Sequence, residues 1–209
     1  MPLPIQLSDY LASIASSPLR PWMHELPWEL TTNAAHIVQT LLSGLDPREY
    51  RISNEIAVHH TATVEAGAVL KGPLILGPRC FVAAGAYLRG GNWLAADCGL
   101  GPGTELKSSF LLDGCKLAHF NFVGDSILGA GINMEAGSII CNYRNERPDK
   151  EVRVRLNGAL HGAGVEKFGA LLGDGIRVGA NAVLAPGTLL LPESIVGRTA
   201  LCDQEITAS

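Results

Sequence analysis

Large aliphatic residues recur at every sixth position through the middle of the chain. Ten of them share one register: Val58, Val64, Leu70, Leu76, Val82, Leu88, Leu94, Leu100, Leu106 and Leu112. This period matches neither the 3.6 residues of a helix nor the two residues of an isolated strand. It is typical of a parallel β-helix, in which three hexapeptides form one triangular coil and every aliphatic residue points inward. The pattern therefore predicts one stacked aliphatic column.

The ladder changes phase twice along the chain. It resumes at Leu128, Met134 and Ile140, and again in a third run that comprises Leu172, Val178, Leu184, Leu190 and Val196. We expect an irregular segment at 116–127 before the second run and an insertion at about 142–170 before the third. Within the insertion, aliphatic and charged residues alternate before Asn157-Gly158, a pattern that predicts a β-hairpin able to reach over a neighbouring surface.

The N-terminal residues 1–50 follow a different pattern, which predicts a short helical cap ahead of a β-helix domain at 51–205. Apolar residues recur there at helical spacing, and Ser43-Gly44 supplies a stop signal before Pro47. The first edge of a β-helix exposes unpaired backbone groups that could pair with other chains. We therefore expect the cap to cover the open N-terminal end of the β-helix.

Composition and charge narrow the classes of function. The 24 glycines suit tight turns at regular intervals. The chain has 16 Lys and Arg against 20 Asp and Glu without long runs, which argues against binding to nucleic acid or to an anionic membrane. It shows neither a signal-peptide pattern nor a long apolar run, so we expect a cytoplasmic protein. Five cysteines without a CxxC pair predict reduced thiols.

Several polar residues near the phase changes could carry chemistry. His119 could act as a general base, because imidazole titrates near neutrality, but it could equally be a turn histidine. Glu105 and Lys107 flank the inward Leu106 and so project outward together, either into a site or into surface ion pairs. Asn142 and Tyr143 lie where the chain leaves the coil, a place that also suits a plain turn.

These residues belong to segments that resemble a known family. The segments ELK at 105–107, AHFNFVGDS at 118–126, INMEAG at 132–137 and CNY at 141–143 resemble the acetyltransferase domain of bacterial N-acetylglucosamine-1-phosphate uridyltransferases. The segments at 150–158 and 167–187 are similar to the β-helix of archaeal sugar-1-phosphate nucleotidyltransferases. The resemblance covers about residues 25–200. It implies an all-β, left-handed parallel β-helix that forms a homotrimer with sites between subunits.

The resemblance also implies roles for individual residues. His119 matches the catalytic base, and Glu105 matches a second catalytic residue, a carboxylate near that base and the substrate amine. Lys107 matches a ligand of the substrate phosphate. The other implied substrate-binding positions are Phe122, Asn133, Asn142, Tyr143, Lys150 and Arg153, and the implied residue of the CoA groove is Ala180. Phe122 stands where the family usually has a tyrosine, so one hydrogen bond to the expected substrate is missing.

The function implied is transfer of an acetyl group from acetyl-CoA to the amine of an amino-sugar phosphate or a nucleotide-linked amino sugar. An acceptor hydroxyl or a longer acyl chain also fits. We expect no nucleotidyl transfer, because the sequence contains no glycine-rich loop of that domain. The alternative is a non-catalytic trimeric module that binds a sugar nucleotide or partners a separate nucleotidyltransferase. We expect no metal, since His119 has no histidine partner at zinc-ligand spacing.

Overall fold

Three parallel β-sheets form the sides of the structure, and each coil of the chain adds one short strand to each sheet. The computed structural model describes residues 5–206. Residues 1–4, which are part of the predicted cap, and residues 207–209 lie outside this range. The parallel β-helix that the sixfold period predicts is confirmed, together with a helical N-terminal segment and a hairpin insertion.

The helical segment precedes all of the strands. It contains three short 3-10 turns at Leu7–Asp9, Ile14–Ser16 and Arg20–Trp22, followed by α1 at Pro27–Thr32 and α2 at Ala34–Ser43. Strands β1 to β8 span Tyr50–Ser53, Ile56–His59, Thr63–Val64, Val69–Leu70, Leu74–Leu76, Phe81–Val82, Tyr87–Arg89 and Asn92–Leu94. Strands β9 to β16 span Gly99–Leu100, Glu105–Lys107, Phe110–Leu111, Lys116–Leu117, Phe122–Gly124, Ile127–Leu128, Asn133–Met134 and Ile139–Ile140. Strands β17 to β24 span Arg153–Leu156, Ala159–Gly162, Ala170–Leu172, Arg177–Val178, Val183–Leu184, Thr188–Leu190, Ile195–Val196 and Leu201–Cys202.

The strands alternate among the three sides in chain order. Sheet A has the order β1-β2-β5-β8-β11-β14-β19-β22, sheet B contains β3, β6, β9, β12, β15, β20 and β23, and sheet C contains β4, β7, β10, β13, β16, β21 and β24. Strand β1 pairs antiparallel with β2 and covers the first edge of sheet A. All other neighbours within these three sheets are parallel, as coils that stack in register require.

The inner column follows the predicted ladder as far as Leu106 and then departs from it. Leu111, not Leu112, pairs in register with Leu94 and Leu128 and belongs to the inner core, so the assignment of Leu112 is wrong. The corner between sheets C and A is one residue shorter here. Ser108, at a φ of 47°, turns the chain where Gly90 and Gly91 turn it one coil earlier.

The segment 116–127 is regular, contrary to the prediction of an irregular break. It contains β12, β13 and the start of β14, and its Leu117 and Val123 continue the inner column. A second shortened corner at Asp125, with a φ of 46°, produces the next phase change. Because each of these two corners is one residue shorter than the corresponding corner of earlier coils, the sixfold register shifts while the coils continue without interruption.

Sheet A is apolar on both faces, and the chain itself covers the outer one. The outward column contains Ala57, Ile75, Trp93, Phe110, Ile127, Leu171 and Leu189, all of which are buried. Residues of the N-terminal segment, including Leu11, Trp28 and Ile37, pack with this column in a second core. The segment also reaches the sixth coil, where the backbone N–H of Ala12 donates to Asp174 Oδ2 at 2.8 Å.

The predicted position of the cap is therefore wrong. The N-terminal segment lies along the side of the β-helix against sheet A, with α2 in contact with β5 and β8, and does not close the open end. The physical reason is the outward apolar column, which needs cover along the whole length of the sheet. The sixfold ladder gives no sign of that column, because it marks only inward positions.

The insertion forms the predicted hairpin from β17 and β18. Its turn is Asn157-Gly158, with φ values of 49° and 82°, as a two-residue hairpin turn requires. Val152 and Val154 are buried in the second core beside Phe168, whose ring lies 5.7 Å from that of Trp28. One strand of the hairpin thus packs on its own chain, while β18 is largely exposed. No helix within residues 5–206 has the length and apolarity to span a bilayer.

Candidate active site

The outward face of sheet C brings together residues from three successive coils. Glu105 lies between Tyr87 and Phe122 in register, and Lys107 lies beside Arg89 and Gly124. These neighbours are consecutive rungs of a parallel sheet, whose strands are about 4.8 Å apart. Sequence positions 16 to 18 residues apart are therefore in direct contact on this face.

Two ion pairs occupy this face. Arg89 Nη2 lies 2.7 Å from Glu105 Oε1, and both side chains are about one-third exposed. Lys107 Nζ lies 2.7 Å from each carboxylate oxygen of Asp125. The second pair is more buried, with 18% of the lysine and 7% of the aspartate side chain exposed. Because the Lys107 ammonium contacts both oxygens of a largely buried carboxylate, its direction is more tightly fixed than that of the more exposed Arg89 guanidinium.

Asp125 also holds Asn142, whose side-chain amide donates to Oδ2 of that carboxylate. Gly124 makes this arrangement possible, because an added Cβ there would lie 2.8 Å from the Asn142 amide and 2.9 Å from Cζ of Phe122. Asp125 therefore connects two of the residues predicted to bind substrate, and Phe122 adjoins them.

His119 lies at the corner between sheets B and C, after β12 and before β13, with its side chain exposed. Gly101 makes room for it, since an added Cβ would collide with the Ala118 carbonyl and lie 3.2 Å from His119 Nδ1. Within residues 5–206 no side-chain hydrogen bond holds the imidazole, and the Glu105 carboxylate binds Arg89. Its neighbour Phe120 has a φ of 52° and is 71% exposed. The imidazole is thus accessible to a bound ligand.

The remaining predicted substrate ligands on this side lie in the loop 141–152, which leads into the hairpin, and at the first residue of β17. Lys150 Nζ donates to the carbonyls of Arg144 and Asn145, each at 3.0 Å, and lies 5.2 Å from the ring centroid of Tyr143. In the part of the chain that the structure describes, Lys150 forms no salt bridge. Arg153 forms an ion pair with Asp149. Among the described residues, therefore, no carboxylate competes with an anionic ligand for Lys150.

Asn133 and Ala180 are not brought to this cluster within one chain. Asn133 lies on sheet B between Lys116 and Arg177 and borders a hollow of about 280 Å³. Ala180 lies at the corner between sheets B and C, where its backbone N–H donates to Glu135 Oε2 at 2.8 Å. A separate cavity of about 550 Å³ lies between the N-terminal segment and sheet A, on the opposite side from His119.

Comparison with known proteins identifies relatives by sequence. No family model matches the sequence. The chain is 31% identical over 154 residues to a protein named bifunctional sugar-1-phosphate nucleotidylyltransferase/acetyltransferase of Sulfurisphaera tokodaii, covering 71% of this chain and 38% of that protein. It is 29% identical over 186 residues to the bifunctional protein GlmU of Methanococcus vannielii, covering 86% and 44%. By sequence the chain is related to these nucleotidylyltransferase/acetyltransferases, and its fold is a parallel β-helix of hexapeptide repeats.

The chain spans about two fifths of the length of these relatives. Solved structures with a similar fold include a hexapeptide transferase family protein from Anaplasma phagocytophilum, at 16% identity and a TM-score of 0.40, covering 70% of this chain and 72% of that chain. Another is a mutant perosamine N-acetyltransferase from Caulobacter crescentus, in complex with CoA and GDP-perosamine. It has 15% identity and a TM-score of 0.30, covering 70% and 51%.

In this hexapeptide-repeat protein the sequence interpretation missed Arg89 and Asp125. Both lie one coil away from predicted residues, Arg89 before Glu105 and Asp125 after Lys107. The sequence could have indicated both residues. Once the outward positions of the strands are known, the length of a coil places Arg89 and Asp125 on rungs adjacent to the predicted residues. No group of three or more potential metal ligands occurs among the described residues.

Glu135, which accepts the hydrogen bond from the Ala180 backbone, is expected to titrate at an unusually low pH. Hydrogen bonds from Arg198 and from the Ala180 backbone lower the pKa of Glu135 from 4.5 to about 2. The pKa is depressed in the folded state, so the stability that this pair contributes is present above pH 4.5 and is lost as the pH falls toward 2. A carboxyl ¹³C NMR titration measures the pKa of Glu135 directly. Arg198→Ala is expected to raise the pKa of Glu135, and titration of the wild-type group near 4.5 would contradict the contact.

Proposed function

We propose that this chain is a cytoplasmic, acetyl-CoA-dependent N-acetyltransferase that acts on an amino-sugar phosphate or a nucleotide-linked amino sugar. The observation that carries the proposal is the cluster on sheet C, where Arg89, Glu105, Lys107 and Asp125 form a polar surface near the corner that bears His119. A scaffold alone needs the aliphatic column and not these residues. The word acetyltransferase in the name of the Sulfurisphaera relative adds support.

In the proposed reaction His119 acts as general base. The amine nitrogen attacks the thioester carbonyl of acetyl-CoA while the imidazole takes the proton that the amine loses. The C–N bond forms, the C–S bond breaks, and the proton passes to the departing CoA thiolate. A backbone N–H stabilises the oxyanion, and no covalent enzyme intermediate is needed.

The proposed acceptor is oriented by charge. Lys107, Lys150 and Arg153 would neutralise its phosphate, and Asn142 and Tyr143 would contact the sugar. Lys107 and Arg153 are already paired with carboxylates, so an incoming phosphate must compete with Asp125 for Lys107 and with Asp149 and Glu205 for Arg153. Lys150 meets no such competition, which makes it the strongest anchor of the set.

We further propose a homotrimer, in which sheet B of one copy faces sheet C of the next. Sheet A is covered by the chain itself, whereas sheets B and C expose apolar side chains. These residues are Phe81 and Ile195 on sheet B, and Val69 and Leu201 on sheet C. Such contact would bring Asn133 of one copy toward the sheet C cluster of another and would leave a groove at Ala180 for CoA. Sedimentation analysis tests the assembly.

The second candidate is a non-catalytic trimeric module that binds a sugar nucleotide or a separate nucleotidyltransferase. One observation favours it, namely the phenyl ring of Phe122, which offers no hydroxyl beside Asn142. Release of CoA thiol from acetyl-CoA, measured with a panel of amino-sugar phosphates and nucleotide amino sugars, separates the two functions. Turnover that yields an N-acetylated product, identified by mass spectrometry, would support the proposal that the chain is an enzyme. No turnover, with no acetyl-CoA binding by calorimetry, leaves the module as the better account.

Replacing Phe122 with tyrosine is expected to improve binding of an amino-sugar phosphate. A hydroxyl on Cζ would project beside Asn142, and a hydrogen bond to a charged phosphate would lower the acceptor KM by about tenfold. The acceptor KM of the purified variant measures this effect. Phe120→Tyr serves as the control, because that ring is exposed at the corner. An equal change in both variants would contradict a specific role for position 122.

A further inference from the structure

The last residues that the structure describes pack against the loop that carries the candidate substrate ligands. Asp203, Gln204 and Glu205, here called the acidic tail, follow β24 directly. Gln204 fixes the tail to the last coil, since its side-chain oxygen accepts the Leu189 N–H at 2.9 Å and its amide donates to the Leu189 carbonyl at 2.7 Å. The tail thus has a rigid base on the β-helix.

Asp203 binds Arg144 through two parallel hydrogen bonds. Arg144 Nη1 lies 2.7 Å from Oδ2 and Nη2 lies 2.8 Å from Oδ1, the bidentate geometry of a strong charge-assisted pair. Only 5% of the arginine side chain and 10% of the aspartate side chain are exposed. The same guanidinium donates to the Pro186 carbonyl at 3.2 Å. Arg144 is therefore held in place by the last two coils.

Glu205 contacts two arginines of the same loop and a third arginine at the start of β17. It forms ion pairs with Arg147 and with Arg144, the latter at 3.2 Å, and lies 3.7 Å from Arg153 Nη1. Its side chain is 10% exposed, so solvent screens these pairs little. The acidic tail therefore holds Arg144 and Arg147 of the loop in place and contacts Arg153 at the start of β17.

Arg144 connects the acidic tail to the proposed phosphate anchor. Its carbonyl and that of Asn145 accept the Lys150 ammonium, which lies over the Tyr143 ring. A shift of the Arg144 backbone would move both acceptor groups of Lys150. The contacts form one continuous path from Asp203 through Arg144 to Lys150.

From this path we infer that Asp203 and Glu205 are positioning residues for the acceptor, acting through Arg144 on Lys150 and Tyr143. The inference rests on the proposed function. Neither carboxylate is expected to touch substrate or acetyl-CoA, because each is bonded to loop arginines and nearly buried. The acidic tail therefore affects the affinity for the acceptor and not the chemical step.

The test combines hydrogen exchange with kinetics on Asp203→Asn and Glu205→Gln in the full chain. Exchange of the amides at 143–152 is expected to become faster while that of the β-helix strands is unchanged. The acceptor KM is expected to rise about tenfold or more, with kcat and the acetyl-CoA KM near wild type. Glu193→Gln is the matched control, an exposed acid of the last coil outside this network.

A double variant makes the test specific. If the acidic tail acts through Lys150, Asp203→Asn adds little to the acceptor KM of Lys150→Met, because the two changes remove one interaction. Unchanged exchange at 143–152, an unchanged acceptor KM, or additive effects would each overturn the inference. Absence of transfer by the wild type overturns the proposed function alone, since the exchange measurement decides the positioning independently.

Discussion

Replacement of His119 by alanine is expected to reduce acetyl transfer by about 10²- to 10⁴-fold, the contribution typical of a positioned general base. The thermal midpoint is expected to remain at the wild-type value, because the imidazole is exposed and the described residues give it no side-chain hydrogen bond. Thiol release under saturating acetyl-CoA measures the loss, and circular dichroism checks the fold.

His36→Ala provides the matched control, as another exposed histidine that lies on α2 far from sheet C. It should keep wild-type turnover. If His119→Ala also retained wild-type turnover, the base would have to be sought elsewhere and the proposed mechanism would be wrong. A variant that lost activity together with its thermal transition would report on folding and would be replaced by His119→Asn.

The largest expected effect on stability comes from Phe110→Ala. Phe110 is fully buried on the outer face of sheet A, next to Trp93 in register, and removal of such a ring costs about 3–5 kcal/mol. Urea unfolding followed by tryptophan fluorescence, at a fixed protein concentration, measures the change in the free energy of unfolding. Phe120→Ala is the control, with an expected change within about 0.5 kcal/mol because its ring is exposed.

A change of less than about 0.5 kcal/mol for Phe110→Ala, as small as that expected for Phe120→Ala, would contradict the assignment of an outer core. A large destabilisation by Phe120→Ala as well would instead indicate that the corner ring of Phe120 is buried in solution, as contact with another copy of the chain would require. Loss of cooperativity in Phe110→Ala alone would instead show that the N-terminal segment separates from the coils before they unfold.

Most of the β-helix follows from the sixfold period, and its failures have physical causes. Leu112 satisfied the period by coincidence, because a shortened corner at Ser108 moved Leu111 inward and left Leu112 to pack outside. One residue is enough to reverse inward and outward positions in a strand. The outer column of sheet A was also invisible, since a ladder defines only one face.

The residues of the candidate site were predictable where single segments of the sequence indicate them. Contacts between residues of different coils were not predictable in this way. Glu105, Lys107, Phe122 and Asn142 lie together on sheet C or at its margin, as the segments suggested. The pairing of Arg144 with Asp203 joins residues 59 positions apart. To predict such a pair, one must know how many coils separate the two residues, and this number depends on the length of the insertion.

The contact between Trp28 and Phe168 across the outer face of sheet A has a consequence for how this protein can vary. Ordinary repeat proteins gain or lose units freely, because each unit touches only its neighbours. Here α2 packs on the second and third coils, while Ala12 is bonded to Asp174 in the sixth. An added coil between them would pull these contacts about 4.8 Å apart. The N-terminal segment thus spans the second to the sixth coil, and we expect a change in chain length to be tolerated better in the insertion than as an added coil within that span.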